Sequence, residues 1–397
     1  MSYLLLIQQP AEDTGHRGSR RDQLRDREEA LHQLAGSVLK PPAEGLATQD
    51  TESAESRASY RALPALGILL AHRDDLDEER LNGTEGVELL EAGMATLPAL
   101  THEPGGIDAP WYLDSMGLST TADRPTGAGV LVGVLDTGID PTHPELDPER
   151  IHFAEFSVQG ELISTRPRDA QAHGTGVAGL IAGKTMGVAP GAAIAMAAVL
   201  TTEVRGKMRG DLPQVLAGLN WLLSYEFRGP EGPLGVDIIN ASLTLPPDNN
   251  GQLYALLNRA CVLNGVLMCA AVGNNGINGP GHVGSPASYD IVLGVGATNQ
   301  AGVVAWFSDW GATTKPDLCA PGVNIPLCTP DQAITSGGRG TSLAAPLVCG
   351  VGALLLEQDP DQMEDPNTLR AALLAMATGP ATPSPGGNLG GKGSIEF

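Results

Sequence analysis

Residues 129–146 read GVLVGVLDTGIDPTHPEL, and how this stretch is read decides the fold. Its first half is a near-continuous apolar run that ends at Asp136-Thr137-Gly138. A run without polar alternation suits a strand covered on both faces, and such strands belong to parallel sheets flanked by helices. The aspartate at its end admits three readings. It is one of two carboxylates sharing a proton, it is the carboxylate that orients a catalytic histidine, or it simply opens a turn.

Outward from this stretch, runs of the same kind recur at AAIAMAAVL (192–200), VDIINASL (236–243), GVLMCAAVG (265–273) and IVLGVGA (291–297). Helical segments fall between them: HGTGVAGLIAG (173–183), LPQVLAGLNWLLSYEF (212–227) and GQLYALLNRACVLNG (251–265). The alternation predicts an α/β domain with a mostly parallel central sheet and helices on both faces, over residues 105–397. Residues 1–104 differ. YLLLIQ (3–8), the charged helical stretch RRDQLRDREEALHQLAGSV (20–38), ALGILLAH (65–72), DDLDEERLNG (74–83) and VELLEAGMATLPAL (87–100) predict a small α+β domain in the split βαβ, ferredoxin-like style. A Pro/Glu/Ser/Thr-rich segment at about 40–59 reads as a flexible loop, and THEPGGIDAP (101–110) as a linker.

Three further motifs choose among the roles of Asp136. HGTGVAGLIAG holds a literal Gly-x-Gly-x-x-Gly, but the polar run STRPRDAQA precedes it instead of the buried strand that a dinucleotide site requires. The glycines suit a helix that starts tightly beside another backbone, with His173 in its first turn. GRGTSLAAPLVCGVGALLLEQ (338–358) sets Ser342 at the start of a very apolar helix, either as a cap or as a nucleophile. AAVGNNGINGPG (270–281) puts Asn274 where a strand becomes a loop, as a turn residue or as an amide donor to an oxyanion. A single-chain aspartic protease needs a second Asp-[Thr/Ser]-Gly, which the chain lacks, and a two-lobed β fold.

What remains is Asp136, His173 and Ser342 in that order, with Asn274 between the last two. VLVGVLDTGIDPTHPEL, HGTGVAGLIAG, GVAPGAAIAMAAVL, DIINASL, AAVGNNG and GRGTSLAAPLVCG together closely resemble the subtilisin-like serine proteases, over roughly residues 105–397. The resemblance implies a serine endopeptidase with Ser342 as nucleophile, His173 as base, Asp136 as orienting carboxylate, and an oxyanion hole from Asn274 and the Ser342 N–H. It implies substrate contacts at Ser242, Leu243, Thr244, Ala271, Gly273 and Gly284. It also implies that residues 1–104 are an inhibitory propeptide, its last stretch lying in the cleft and cleaved between about Leu100 and Gly106. Where the family usually has two glycines after Ser-Leu, this chain has Thr244-Leu245, which narrows or reshapes the pocket. Two alternatives stay beside general proteolysis: a dedicated maturation or signalling protease of narrow specificity, and a non-catalytic binding module.

Composition bounds the partners. Lys+Arg is 24 against Asp+Glu 46, a formal charge of −22, so nucleic acid and anionic membranes are repelled. The expected partners are a protein or peptide substrate and the chain's own propeptide. Five cysteines without Cys-x-x-Cys spacing suggest core thiols, with a Cys319–Cys328 bridge as the one pairing to consider. The start, MSYLLLIQQP, is too short an apolar run for a signal peptide, and no run reaches membrane-spanning length, so a cytoplasmic location is expected. No cofactor is expected to be required. LIAGKTM (180–186) is shorter than the loop of the family's strong calcium site, which leaves calcium only at some other, unassigned place.

Overall fold

The computed structural model describes residues 3–8, 19–40, 60–84, 87–91, 93–98, 101–102, 109–118, 124–246, 251–311, 314–361, 365–383 and 390–397. The expected loop lies outside the described residues except at its first position, as does most of the expected linker and cleavage window.

The N-terminal unit runs β1 (Tyr3–Gln8), α1 (Arg20–Val38), β2 (Tyr60–Leu63), β3 (Ile68–His72), α2 (Glu78–Asn82) and β4 (Val87–Glu91). Its four strands pair antiparallel in the order β2-β3-β1-β4, the ferredoxin-like arrangement expected, with β2 as the strand the sequence left unplaced. Ser19 and Asp22 close a capping box at the start of α1, so charged residues that would fray a helix end are instead tied to it. VELLEAGMATLPAL is not one strand: β4 ends at Glu91, and a separate strand β5 (Met94–Thr96) follows, then β6 (Thr101–His102).

The larger unit continues with α3 (Trp111–Ser115), β7 (Leu131–Asp136), β8 (Ile151–Phe156), β9 (Leu162–Ser164), α4 (His173–Ala182), β10 (Ala193–Ala198), β11 (Thr202–Val204) and β12 (Lys207–Asp211). It goes on with α5 (Leu212–Ser224), β13 (Ile238–Ala241), α6 (Gln252–Asn264), β14 (Leu267–Ala271), β15 (Leu293–Thr298), β16 (Leu318–Pro321), β17 (Val323–Cys328), β18 (Ile334–Arg339), α7 (Thr341–Gln358) and α8 (Pro366–Ala375). Eight strands form one sheet in the order β16-β15-β14-β13-β7-β10-β8-β9. All its pairings are parallel except β8 with β9 at the edge. Every residue of β7, β13, β14 and β15 is buried, the reason their sequences show no alternation.

Helices α4 and α7 pack on one face of this sheet, and α5 on the other. Helix α7 contradicts the expectation that no segment reaches spanning length: its mean hydropathy of 1.4 over eighteen residues would suffice. It is apolar all round because it is the central core helix, touching β13 to β16, α4 and α8. The five cysteines are all free and buried, so the Cys319–Cys328 bridge does not form.

Candidate active site

The site lies where β7 ends beside the first turns of α4 and α7. The approach of β7 to α4 depends on two glycines. Gly138 has φ +127°, and a side chain there would lie 2.1 Å from the Arg168 carbonyl. A Cβ on Gly174 would lie 2.0 Å from the Gly138 carbonyl oxygen. Removing either Cβ lets the turn after Asp136 sit directly on the first turn of α4. Further along α4, a Cβ on Gly179 would meet Cys328 Sγ at 2.5 Å, so this glycine serves helix-to-strand packing. That accounts for the Gly-x-Gly-x-x-Gly string without any nucleotide.

This packing aligns three side chains. His173 Nδ1 is 2.8 and 3.0 Å from the Asp136 carboxylate oxygens, and His173 Nε2 is 3.0 Å from Ser342 Oγ. Asp136 also accepts the Thr137 N–H at 2.7 Å. With an ionised Asp136, the neutral imidazole donates from Nδ1 and accepts the Ser342 hydroxyl proton at Nε2. Asp136, His173 and Ser342 are all buried. Burial alone would lower the His173 pKa; the carboxylate of Asp136 and, more weakly, that of Asp169 outweigh it and raise the value above 6.5.

Asp169 is a residue that sequence reasoning missed. It accepts from Thr137 Oγ1 at 2.7 Å and from the Thr175 N–H and Oγ1 at 2.8 and 2.6 Å. It thereby stitches the turn after Asp136 to the first turn of α4, and Thr137 Oγ1 accepts the Gly174 N–H at 3.0 Å. The loop before α4 is held from outside by Arg168, paired with the buried Glu155. Ala172, just ahead of His173, sits at φ +34° in the left-handed region, a strained setting for a residue with a Cβ.

Ser342 is the second residue of α7, and Gly340 holds the cap position with no side-chain hydrogen bond, so the capping reading fails. Thr341 organises the oxyanion side. Its N–H and its hydroxyl both donate to Asn274 Oδ1 at 2.9 Å, and its Oγ1 accepts the Gly273 N–H at 3.1 Å. Anchoring Oδ1 fixes the Asn274 amide with its NH₂ as the donor end, beside the helix terminus that carries the Ser342 N–H. Beneath this loop, Asp309 accepts the Asn275 N–H at 2.9 Å and returns its own N–H to the Gly273 carbonyl at 3.0 Å. Burial pushes the Asp309 pKa up to about 7, against the hydrogen bonds from Asn275 and the charge of His282. Neither Thr341 nor Asp309 stood out in sequence, although Thr341 adjoins the serine.

The expected substrate-contact positions fall into two groups. Ser242 braces the nucleophile, donating from Oγ to the Ser342 carbonyl at 2.9 Å, while Leu243 and Ala271 are buried in the core beneath. Thr244 and Gly284 stand on facing walls, and Gly273 directly precedes Asn274. A Cβ on Gly284 would lie 2.6 Å from Thr244 Cγ2, so the threonine methyl already fills space facing that wall. The Leu245 N–H donates to the Ser285 carbonyl at 2.7 Å, tying the two walls together just beyond.

The chain's own N-terminal part pairs with backbone close to these walls. Strand β5 pairs antiparallel with β12, and Thr96 exchanges two backbone hydrogen bonds of 2.8 Å with Thr244 on the other side. The Leu97 N–H donates to the Met208 carbonyl at 3.2 Å. Five residues on from Thr96, Thr101 pairs with Arg339 and His102 with Gly338, on the strand that leads into Ser342. No group of three or more metal-binding side chains occurs among the described residues. The short segment after α4 is held by Glu145 instead, whose carboxylate accepts the Thr185 N–H and Oγ1 at 2.7 Å and the Met186 N–H at 3.2 Å.

Comparison with known proteins identifies the family. The subtilase family matches residues 127–391. The subtilisin-like protease PopC of Myxococcus xanthus is 32% identical over 399 residues, covering 90% of this chain and 80% of the relative. Subtilisin-like protease 5 of Arthroderma benhamiae is 34% identical, covering 63% of this chain and 60% of its own length. The M-protease of Shouchella clausii is 32% identical, covering 79% and 75%. The crystal structure of a cold-adapted subtilisin-like serine proteinase superimposes with a TM-score of 0.57 at 27% identity, covering 73% of this chain and 97% of that one. The chain therefore belongs to the subtilase family and is a subtilisin-like serine endopeptidase.

Proposed function

We propose that Ser342, His173 and Asp136 cut peptide bonds as a triad, a reading carried by their hydrogen-bonded alignment. Ser342 Oγ attacks the scissile carbonyl carbon while its proton passes to His173 Nε2, and the carbonyl π electrons move to oxygen. Asn274 Nδ2 and the Ser342 N–H receive that oxyanion. The imidazolium, stabilised by Asp136, then protonates the leaving amine as the C–N bond breaks. Water repeats the sequence on the acyl-enzyme. Thr244 pairs with the substrate backbone, and Gly273 and Gly284 border its side-chain pocket, with Ser242, Leu243 and Ala271 in support.

Residues 1–104 act as a propeptide that blocks the site and is cut by it. Support comes from the pairing of Thr96 with Thr244 and of Thr101 with Arg339, on opposite sides of the serine. The bond cut then lies between Leu97 and Thr101, mostly upstream of the window expected from sequence. The Thr244 methyl set against Gly284 favours a narrow pocket and a small residue before the cut, and so a dedicated rather than a general protease. Free buried thiols suit a reducing, cytoplasmic setting. Catalysis as described needs no metal.

The wild-type chain is expected to split within this interval on standing, and a Ser342→Ala chain to remain whole, as read by intact-mass spectrometry. Equal splitting of both would overturn the reading.

A further inference from the structure

A cavity of about 480 Å³ opens beside β18, lined by Asn299, Trp306, Phe307, Val323, Asn324 and Arg339 among others. It lies outside the triad, and none of the sequence motifs pointed to it. Arg339 carries the one charge among its described lining residues. The Arg339 guanidinium lies 6.0 Å from the centre of the Trp306 ring, a cation–π distance, and Trp306 packs edge-on against Phe307 at 5.6 Å. Trp306 is 52% exposed, an unusual amount of indole to leave in water. A charged head resting on an aromatic platform over an apolar floor is a receptor for an anionic group.

The strand register says what delivers that group. Val323 pairs with Arg339, and Arg339 pairs with Thr101. These three positions form one row across β17, β18 and β6, and residues directly opposite each other project to the same face. Two members of the row, Val323 and Arg339, line the cavity. A residue of an extended peptide in the place of Thr101 therefore carries its side chain toward the same face. The neighbouring Cβ lies about 4.5–5.5 Å away, within reach of a carboxylate to the guanidinium. That place is on the leaving-group side of the proposed cut, because Thr101 is the C-terminal end of the interval in which the bond lies.

From this geometry we infer that Arg339 and Trp306 form a selectivity site for an acidic side chain of the substrate, Asp or Glu, at the position past the cut that pairs with Arg339. The inference rests on the proteolytic reading and adds its substrate class: peptides with a carboxylate on the leaving-group side. It runs against the chain's overall charge of −22, which favours cationic partners at long range. The contact is short-ranged and partly open to water, so its effect is moderate and weakens with salt.

The test uses the full chain after it has processed itself. Its substrates are three synthetic peptides copied from residues 93–106, identical except for Glu, Gln or Lys in the place of Thr101. Wild-type kcat/KM should fall in the order Glu, Gln, Lys, with about five- to tenfold between the extremes, and the spread should shrink in about 1 M NaCl. Arg339→Glu should invert the order, and Trp306→Ala should compress it. Because each variant is scored by the ratio among its own three peptides, partial loss of activity does not confuse the result. Equal wild-type rates for the three peptides would overturn the inference, and so would an unchanged order in Arg339→Glu. If the wild-type chain cuts none of the peptides, the proteolytic reading fails and this inference falls with it.

Discussion

At the scale of single residues, the electrostatics of His173 make a definite claim. Burial disfavours the imidazolium, yet the carboxylates of Asp136 and Asp169 more than offset it. The folded protein thus holds the His173 proton more tightly than the unfolded chain, whose value is near 6.5. The stability this contributes is full below that pH and is lost as pH rises through the higher folded value. Catalysis needs the neutral ring, so the acid limb of the rate profile should have its midpoint above 6.5. An NMR titration of His173 in a Ser342→Ala background should show the same raised midpoint. Adding Asp136→Asn should lower it, since the carboxylate that most favours the imidazolium has gone. In the active chain Asp136→Asn should also slow self-cleavage roughly 10³–10⁴-fold with the fold intact. The four central residues were legible because each stands where an apolar run meets glycine and loop. Asp169, Thr341 and Asp309 were not, because their work is to hold other groups, and only the folded backbone shows which groups those are.

At the scale of elements, the close seating of β7 on α4 is the step on which the site depends. Gly174→Ala would press a methyl into the Gly138 carbonyl and lift α4 away from Asp136. A displacement of about 1 Å at the imidazole is enough to cost roughly 10²-fold in rate. Activity per folded molecule, with folding followed by circular dichroism, should show that loss, while an alanine at the exposed, uncrowded Gly36 of α1 should cost much less. The central strands were legible because double-sided burial removes every polar residue from them. Within the eight-stranded sheet, the strands the sequence did not reveal are β8, β9 and β16. IHFAEF and LIS carry the half-exposed residues of a sheet edge, and LCAP is short and ends in proline. Helix α8 was also missed, since only Leu369 and Leu373 of its ten residues are buried and the apolar signal is thin.

At the scale of the whole molecule, the strand–helix pattern suggested a division near residue 105 but said nothing of how the two parts are joined. Leu24, Leu63, Leu66, Ile68 and Leu70 share one apolar cluster with residues of α5 and α6. Arg20 closes the joint. Its guanidinium donates to the carbonyls of Leu223 and Leu234 and to Asn264 Oδ1 at 2.6–3.0 Å, at the ends of both helices. Desolvation at this joint, with some repulsion from Arg27, lowers the Arg20 pKa to about 10. Hydrogen bonds from a charged donor of this kind are worth about 1.5–3 kcal/mol each. Arg20→Ala should therefore speed departure of the cleaved N-terminal fragment by at least about tenfold. Size-exclusion chromatography of the processed protein over time would show it. Unchanged co-elution would mean that the apolar cluster alone holds the fragment.

On the proposed reading, the double pairing of residues 96 and 101 would also set the kinetics of the first turnover. A substrate tethered on both sides of the serine has no encounter step, so its effective concentration does not depend on how much protein is present. The first cut should follow first-order kinetics with a half-life unaffected by hundredfold dilution. Every later cut, on a free peptide, should be second-order at low concentration. A dilution series of freshly folded protein separates the two: a half-life that lengthens with dilution would mean that one copy cuts another.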